Sequence, residues 1–153
     1  MNRAVFVTIL VFICCQLTGQ KTTSIVGKWK IVSYSDEVAY FRFKNDSIAI
    51  KDRGNIEDSL YKKQLFASAK MVYGSIEIEF LKDGTYILKM DTVLILKASF
   101  KAIPLKNIIQ LTSKNSLNED VTDIIKYSIQ NGFLNLNLKW EDQQIDLVLE
   151  RLL

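Results

Sequence analysis

A chain of 153 residues with 20 Lys and Arg against 17 Asp and Glu has the length of one domain and a formal charge of only +3. It contains two cysteines and no histidine, so the commonest general base and the commonest transition-metal ligand are missing. Acidic and basic residues alternate and form no basic stripe for nucleic acid. With neither a Ser-x-x-Lys pattern nor a glycine-rich phosphate loop, we expect a non-enzymatic protein with no metal and no cofactor.

Residues 1–19 read as a signal peptide. Arg3 supplies the positive start, and Ala4 to Cys15 is almost unbroken in apolar character, yet too short to span a bilayer as a permanent helix. Two processing routes are open. Cleavage after the small Gly19 leaves residues 20–153 as one folded domain; lipid attachment at Cys14 or Cys15 supplies a membrane anchor, the only membrane contact expected. The large Phe12 and Ile13 ahead of the cysteines favour cleavage. A chain cut after Gly19 has no thiol, and loss of Arg3 takes its charge from +3 to +2. The expected product is an exported monomer, periplasmic or secreted.

Strand periodicity begins at residues 26–34, where Trp29 and Ile31 share one face and Lys28 and Lys30 the other. Residues 38–43 and 47–51 follow as strands about a turn at Asn45-Asp46-Ser47. Residues 55–73 break the alternation. Asn55 as N-cap, Glu57 and Asp58 in the first turn, and Gly74 beyond Tyr73 predict a helix with an apolar stripe of Leu60, Tyr61, Leu65, Ala69 and Val72. Such a stripe must lie on something: the outer wall of the sheet, which we favour, or an open mouth.

Asp83-Gly84 divides residues 75–81 from 85–90, and Asn131-Gly132 divides 124–129 from 133–140. Both residues of each pair accept positive φ, so each predicts an antiparallel hairpin. Ile76, Ile78 and Phe80 oppose Ser75, Glu77 and Glu79, and Leu134, Leu136 and Leu138 oppose Asn135, Asn137 and Lys139. Glu77 and Glu79 have the spacing of an acid–base or hard-cation pair, but they oppose an apolar row and read as solvated. Strands over 93–101 and 106–112 flank Pro104, which marks a turn or a sheet edge because proline cannot donate to a ladder. Asn118, Glu119, Asp120 and Asp123 read as a solvated acidic loop. In the last strand, 144–152, Ile145, Leu147, Leu149 and Arg151 share a face.

Eight or nine short strands with one wet face predict an all-β fold, a closed antiparallel up-and-down barrel of about eight strands with one inserted helix. Closing a sheet brings its first and last strands together, so Arg151 is expected over the indole of Trp29 as a structural plug. Phe41, Phe43, Ile76, Ile78, Phe80, Tyr86, Leu88, Leu134, Leu136 and Leu138 are the expected interior and the candidate ligand contacts.

The run Ile25-Val26-Gly27-Lys28-Trp29-Lys30-Ile31, the hairpin Phe80-Leu81-Lys82-Asp83-Gly84-Thr85-Tyr86 and the closing Leu149-Glu150-Arg151 resemble the lipocalin-like proteins of the calycin group, particularly the small exported domains of Bacteroidota. The resemblance spans nearly the whole of residues 20–153. It implies that Gly27, Trp29 and Arg151 shut one end of an eight-stranded barrel, the other end being an open cup for small hydrophobic or amphipathic molecules. The alternative is a barrel filled throughout, serving as a non-catalytic interaction protein of the cell envelope.

Overall fold

The computed structural model describes residues 24–51, 59–140 and 142–153. The proposed signal peptide with Cys14 and Cys15, and the helix-start residues Asn55, Glu57 and Asp58, lie outside the described residues.

Ten strands and one α-helix make up the described fold: β1 (Gly27–Ser35), β2 (Ala39–Arg42), β3 (Ser47–Ile50), α1 (Ser59–Tyr73), β4 (Ile76–Phe80), β5 (Thr85–Met90), β6 (Val93–Ile103), β7 (Ile108–Lys114), β8 (Asp120–Gln130), β9 (Phe133–Trp140) and β10 (Gln143–Arg151). From β4 to β10 each strand pairs antiparallel with the next, and β10 returns to β1, with Trp29 opposite Arg151 and Ile31 opposite Leu149. The first half of β1 also pairs with β4, Gly27 facing Phe80 and Lys30 facing Glu77. Strands β1 and β4 to β10 therefore close an eight-stranded antiparallel barrel, which leaves those strands no free edge.

The second half of β1 changes partner. Ser33, Tyr34 and Ser35 pair with Arg42, Phe41 and Tyr40 of β2, which carries β3 on its far side. Between Ile31 and Ser33 the register with β10 slips, leaving Val32 as the extra residue of a β-bulge. A bulge bends its strand and increases the local twist. Here it swings the β2–β3 hairpin away from β4 as an arm standing off the barrel.

Turn chemistry explains the two dipeptide hairpins differently. At Asn131-Gly132 both φ values are positive (52° and 83°) between the paired Gln130 and Phe133, the two-residue turn that the sequence predicts. At Asp83-Gly84 only Gly84 is positive (φ 85°), a departure from the expectation. The pair Phe80 and Tyr86 encloses five residues, an odd number that a two-residue turn cannot use. The loop instead closes through Gly84 N–H to Leu81 O and Leu81 N–H to Thr85 O, with glycine in the left-handed position and the Asp83 carboxylate accepting from Thr85 N–H at 2.9 Å. Those backbone and side-chain bonds hold the Asp83 carboxyl below its ordinary pKa. Pro104 opens a 3-10 turn between β6 and β7, the turn and not the edge of the two expected roles.

Strand β8 starts earlier than the sequence suggests. Asp120 and Asp123, expected in a loop, are strand residues opposite Lys114 and Leu111. The loop contracts to residues 115–119 because the Asn115 side-chain oxygen accepts from both Leu117 N–H and Glu119 N–H at 2.9 Å. Glu77 and Glu79 face outward with Lys30 and Lys89 flanking Glu77 across the ladder, in keeping with a solvated face.

One core cluster fills the inner face, including Trp29, Ile31, Ile78, Phe80, Tyr86, Ile109, Leu134 and Leu149. At about 25 cal/mol per Å² of apolar surface removed from water, side chains of this size stabilise by roughly 1.5–3 kcal/mol each.

Candidate functional site

The two ends of the barrel are built differently. At one end Trp29 is completely buried and Arg151 lies over it, its guanidinium carbon 4.6 Å from the ring centroid. The indole N–H donates to Ile25 O at 2.7 Å, and Arg151 Nη2 donates to Ser24 O. These two bonds draw the segment 24–26 across the barrel floor. Gly27 begins β1 at φ 140°, a conformation that disfavours a side chain, and a Cβ there would sit 3.4 Å from Arg151 Nη1. Gly27, Trp29 and Arg151 thus form one structural unit, the closed end.

The inward side chains of four strands become more exposed in the opposite direction. Along β9 the exposure rises from 0% at Leu134 to 3% at Leu136, and Leu138 is half-buried. Along β10, Leu149 and Leu147 are buried and Ile145 is half-buried; on β4 and β5, Phe80, Ile78 and Tyr86 are buried while Ile76, Leu88 and Met90 are half-buried. On β8 Ile125 is buried mid-strand, and the inward row is more exposed in both directions, at Tyr127 and Ile129 as well as at Asp123 and Val121. The barrel is plugged at one end by Trp29 and Arg151 and opens into a largely apolar mouth at the other.

Helix α1 forms one side of that mouth, which corrects the favoured placement on the outer wall. Tyr73 stacks on Tyr34 with ring centroids 4.0 Å apart and 14° between planes, and Phe66 lies against Phe41 and Phe43 at 6.4 and 6.1 Å. Tyr34 and Phe41 belong to the inner face, since Tyr34 stands opposite the buried Leu147. The physical reason is the bulge: it moves the β2–β3 arm off the barrel, and the arm's inner aromatic face needs a cover that the helix supplies. The covering stripe is Leu65, Phe66, Ala69 and Tyr73, whereas Leu60, Tyr61 and Val72 of the expected stripe are exposed.

The Tyr34 hydroxyl donates to Asp36 Oδ2 at 3.0 Å. Burial, then hydrogen bonds with Tyr73 and Asp36, push its pKa well above the ordinary tyrosine value; burial alone does the same to Tyr86. Both phenols stay neutral and act as hydrogen-bonding, apolar-bodied groups. Among the described residues no cluster of three or more His, Cys, Asp or Glu is placed to hold a metal, and no helix is long and apolar enough to cross a membrane.

Of the ten expected interior residues, Ile78, Phe80, Tyr86, Leu134 and Leu136 pack the closed half, and Phe41 and Phe43 lie under the helix. Phe43 sits in a 3-10 turn instead of the expected strand. Ile76, Leu88 and Leu138 reach the mouth. The mouth also holds Met90, Leu96 and Ile145, whose strand alternation made them findable, and the Tyr34–Tyr73 stack, which no sequence signal marks. A second opening, of about 610 Å³, lies beside the floor segment and is lined by Phe100, Ala102, Tyr127 and Ile129.

An antiparallel eight-stranded barrel with one plugged end and one apolar mouth is an architecture compatible with the calycin fold. No family model matches the chain, and no curated protein matches it. Among solved structures, it is similar to the crystal structure of a DUF4847 family protein from Bacteroides vulgatus ATCC 8482, at a TM-score of 0.52 and 14% identity, over 84% of this chain and 96% of that one. At that identity the likeness is one of fold.

Proposed function

We propose that this protein is an exported, lipocalin-like binding protein that holds a small hydrophobic or amphipathic molecule in the mouth of its barrel. The observation that carries the reading is the exposure gradient: β4, β5, β9 and β10 direct apolar side chains inward, and on all four burial fails toward the same end. Leaving Ile76, Leu88, Leu96, Leu138 and Ile145 half-wet forgoes stabilisation that a ligand's apolar surface would restore. A mouth walled by aliphatic residues with a few hydroxyls at one side fits an apolar body with a polar end.

Native mass spectrometry of the protein purified from its own host tests this directly, the expected result being a co-purifying lipid or other small organic molecule. In vitro, the probe is a fluorescent fatty acid. Leu88→Arg and Leu138→Arg are expected to abolish its binding, and Ala102→Arg, in the opening by the floor, to leave it unchanged. Bare polypeptide in every preparation, with no saturable probe binding, rejects carriage.

A second reading, an envelope interaction protein with a filled barrel, is favoured by the complete burial of Trp29, Ile109, Leu134 and Leu149. It predicts the same bare mass, together with a partner protein retained on the folded barrel.

A further inference from the structure

The bulge that opens the mouth on the inner face also creates a recess on the outer one. Ser33, Tyr40 and Arg42 point away from the core, opposite in alternation to Tyr34 and Phe41, and the turn after β2 adds Lys44 and Asn45. With Val32, the bulged residue, and Val148 of β10 as apolar lining, they surround a recess of about 320 Å³. That is within the volume range of small-ligand pockets.

Arg42 is held in place within it. Its Nε donates to the Tyr40 hydroxyl at 3.1 Å, and its guanidinium carbon is 5.2 Å from the centroid of the same ring. A guanidinium carries five N–H donors in a rigid fork, and among the described residues this arrangement engages one, the Nε–H, and leaves the four on Nη1 and Nη2. Among the described residues no carboxylate pairs with Arg42. Lys44 brings a second positive charge, shared at 3.3 Å with the exposed Glu150. We propose that this recess is a binding site for a small organic oxyanion, a carboxylate or phosphate ester on an apolar body, gripped by the Arg42 fork and seated against Tyr40, Val32 and Val148.

Three features support that chemistry. The fork matches the two oxygens of a carboxylate or phosphate group and is preorganised, which lowers the entropy lost on binding. The apolar lining gives the body of the ligand a place that a bare inorganic anion would not use. The Tyr40 hydroxyl is held below its ordinary pKa by the hydrogen bond from Arg42, against the opposing effect of burial and with help from Ser33, as a phenol in a positive field should be. The recess and the barrel mouth lie on opposite faces of the sheet, so this site stands independently of carriage in the mouth.

The test is NMR titration of the folded protein with benzoate, phenyl phosphate and inorganic phosphate, following the Arg42 Nε–H and the Tyr40 ring. Saturable shifts centred on these two residues, tighter for benzoate or phenyl phosphate than for inorganic phosphate, are the expected result. Arg42→Gln, an exposed substitution, is expected to weaken binding about tenfold or more, the loss of a charge-assisted hydrogen bond. Tyr40→Phe keeps the ring and frees Nε, so a smaller loss is expected; Lys139→Gln, elsewhere on the surface, should have no effect. Shifts spread over many lysines, equal affinity for inorganic phosphate, or binding unchanged in Arg42→Gln would each overturn the assignment.

Discussion

Trp29 is the residue on which most of the closed end depends. It fills the floor of the core, donates to Ile25 O and carries the Arg151 guanidinium, so its removal costs a large buried volume and two polar contacts at once. Trp29→Ala is expected to destabilise by about 3–5 kcal/mol, the range for large aromatic truncations in cores. Arg151→Met keeps the aliphatic stem over the ring and loses the charge, and should cost about 1–2 kcal/mol. Gly27→Ala places a side chain at an unfavourable φ of 140°, its Cβ only in ordinary contact with the same guanidinium, and belongs in a similar range. Urea unfolding of the three variants checks the ranking; a Trp29→Ala loss below about 1 kcal/mol would remove the indole from the core.

Among the elements, β1 has the most varied role, because it pairs with β10 along its length and divides its other edge between β4 and β2. The helix depends on that division. Among the described residues its contacts, the Phe66 and Tyr73 rings, Leu65, Ala69 and the Lys70–Asp46 ion pair at 2.6 Å, lie on the arm and the mouth, so it should open independently of the barrel. Tyr73→Ala removes the stack on Tyr34, and amide hydrogen exchange is expected to speed up across α1 and β2–β3 while β8, β9 and β10 keep their protection. Uniform loss of protection would instead make the helix part of the barrel's cooperative unit.

The same division explains which elements were legible in the sequence. The Leu134, Leu136, Leu138 row and the Asn131-Gly132 turn are local signals with a period of two, and they located strands and faces correctly. The Trp29–Arg151 contact followed from closure of the sheet. Placement of the helix did not follow, since it depends on the partner exchange at Val32, a tertiary event with no mark in the periodicity of residues 26–34. Nor was it visible that Phe80 and Leu134 are sealed in the core while Leu88 and Leu138 meet the mouth. Strand alternation gives a side chain's face, whereas its depth along the barrel axis comes from how the strands are staggered.

At the scale of the whole molecule, the absence of histidine and the burial of two tyrosines shape how stability responds to pH, with the lowered pKa of Tyr40 acting in the opposite sense to theirs. No side chain with an ordinary pKa between about 5 and 8 is present, so the folded protein is expected to keep a constant melting temperature from about pH 6 to 9. Tyr34 and Tyr86 have folded pKa values raised by burial, well above the value of about 10 for an unfolded tyrosine. Above pH 10 the unfolded chain releases these phenolic protons and the folded one retains them, so the unfolded state is favoured increasingly as pH climbs. Their contribution is therefore complete below pH 10 and is lost as pH rises from there toward the folded values. Thermal denaturation between pH 6 and 12 is expected to show a plateau followed by an alkaline fall. Tyr86→Phe, which removes a buried phenol whose shift comes from burial alone, should make that fall shallower; an unchanged alkaline slope would mean that the Tyr86 hydroxyl ionises within the folded barrel.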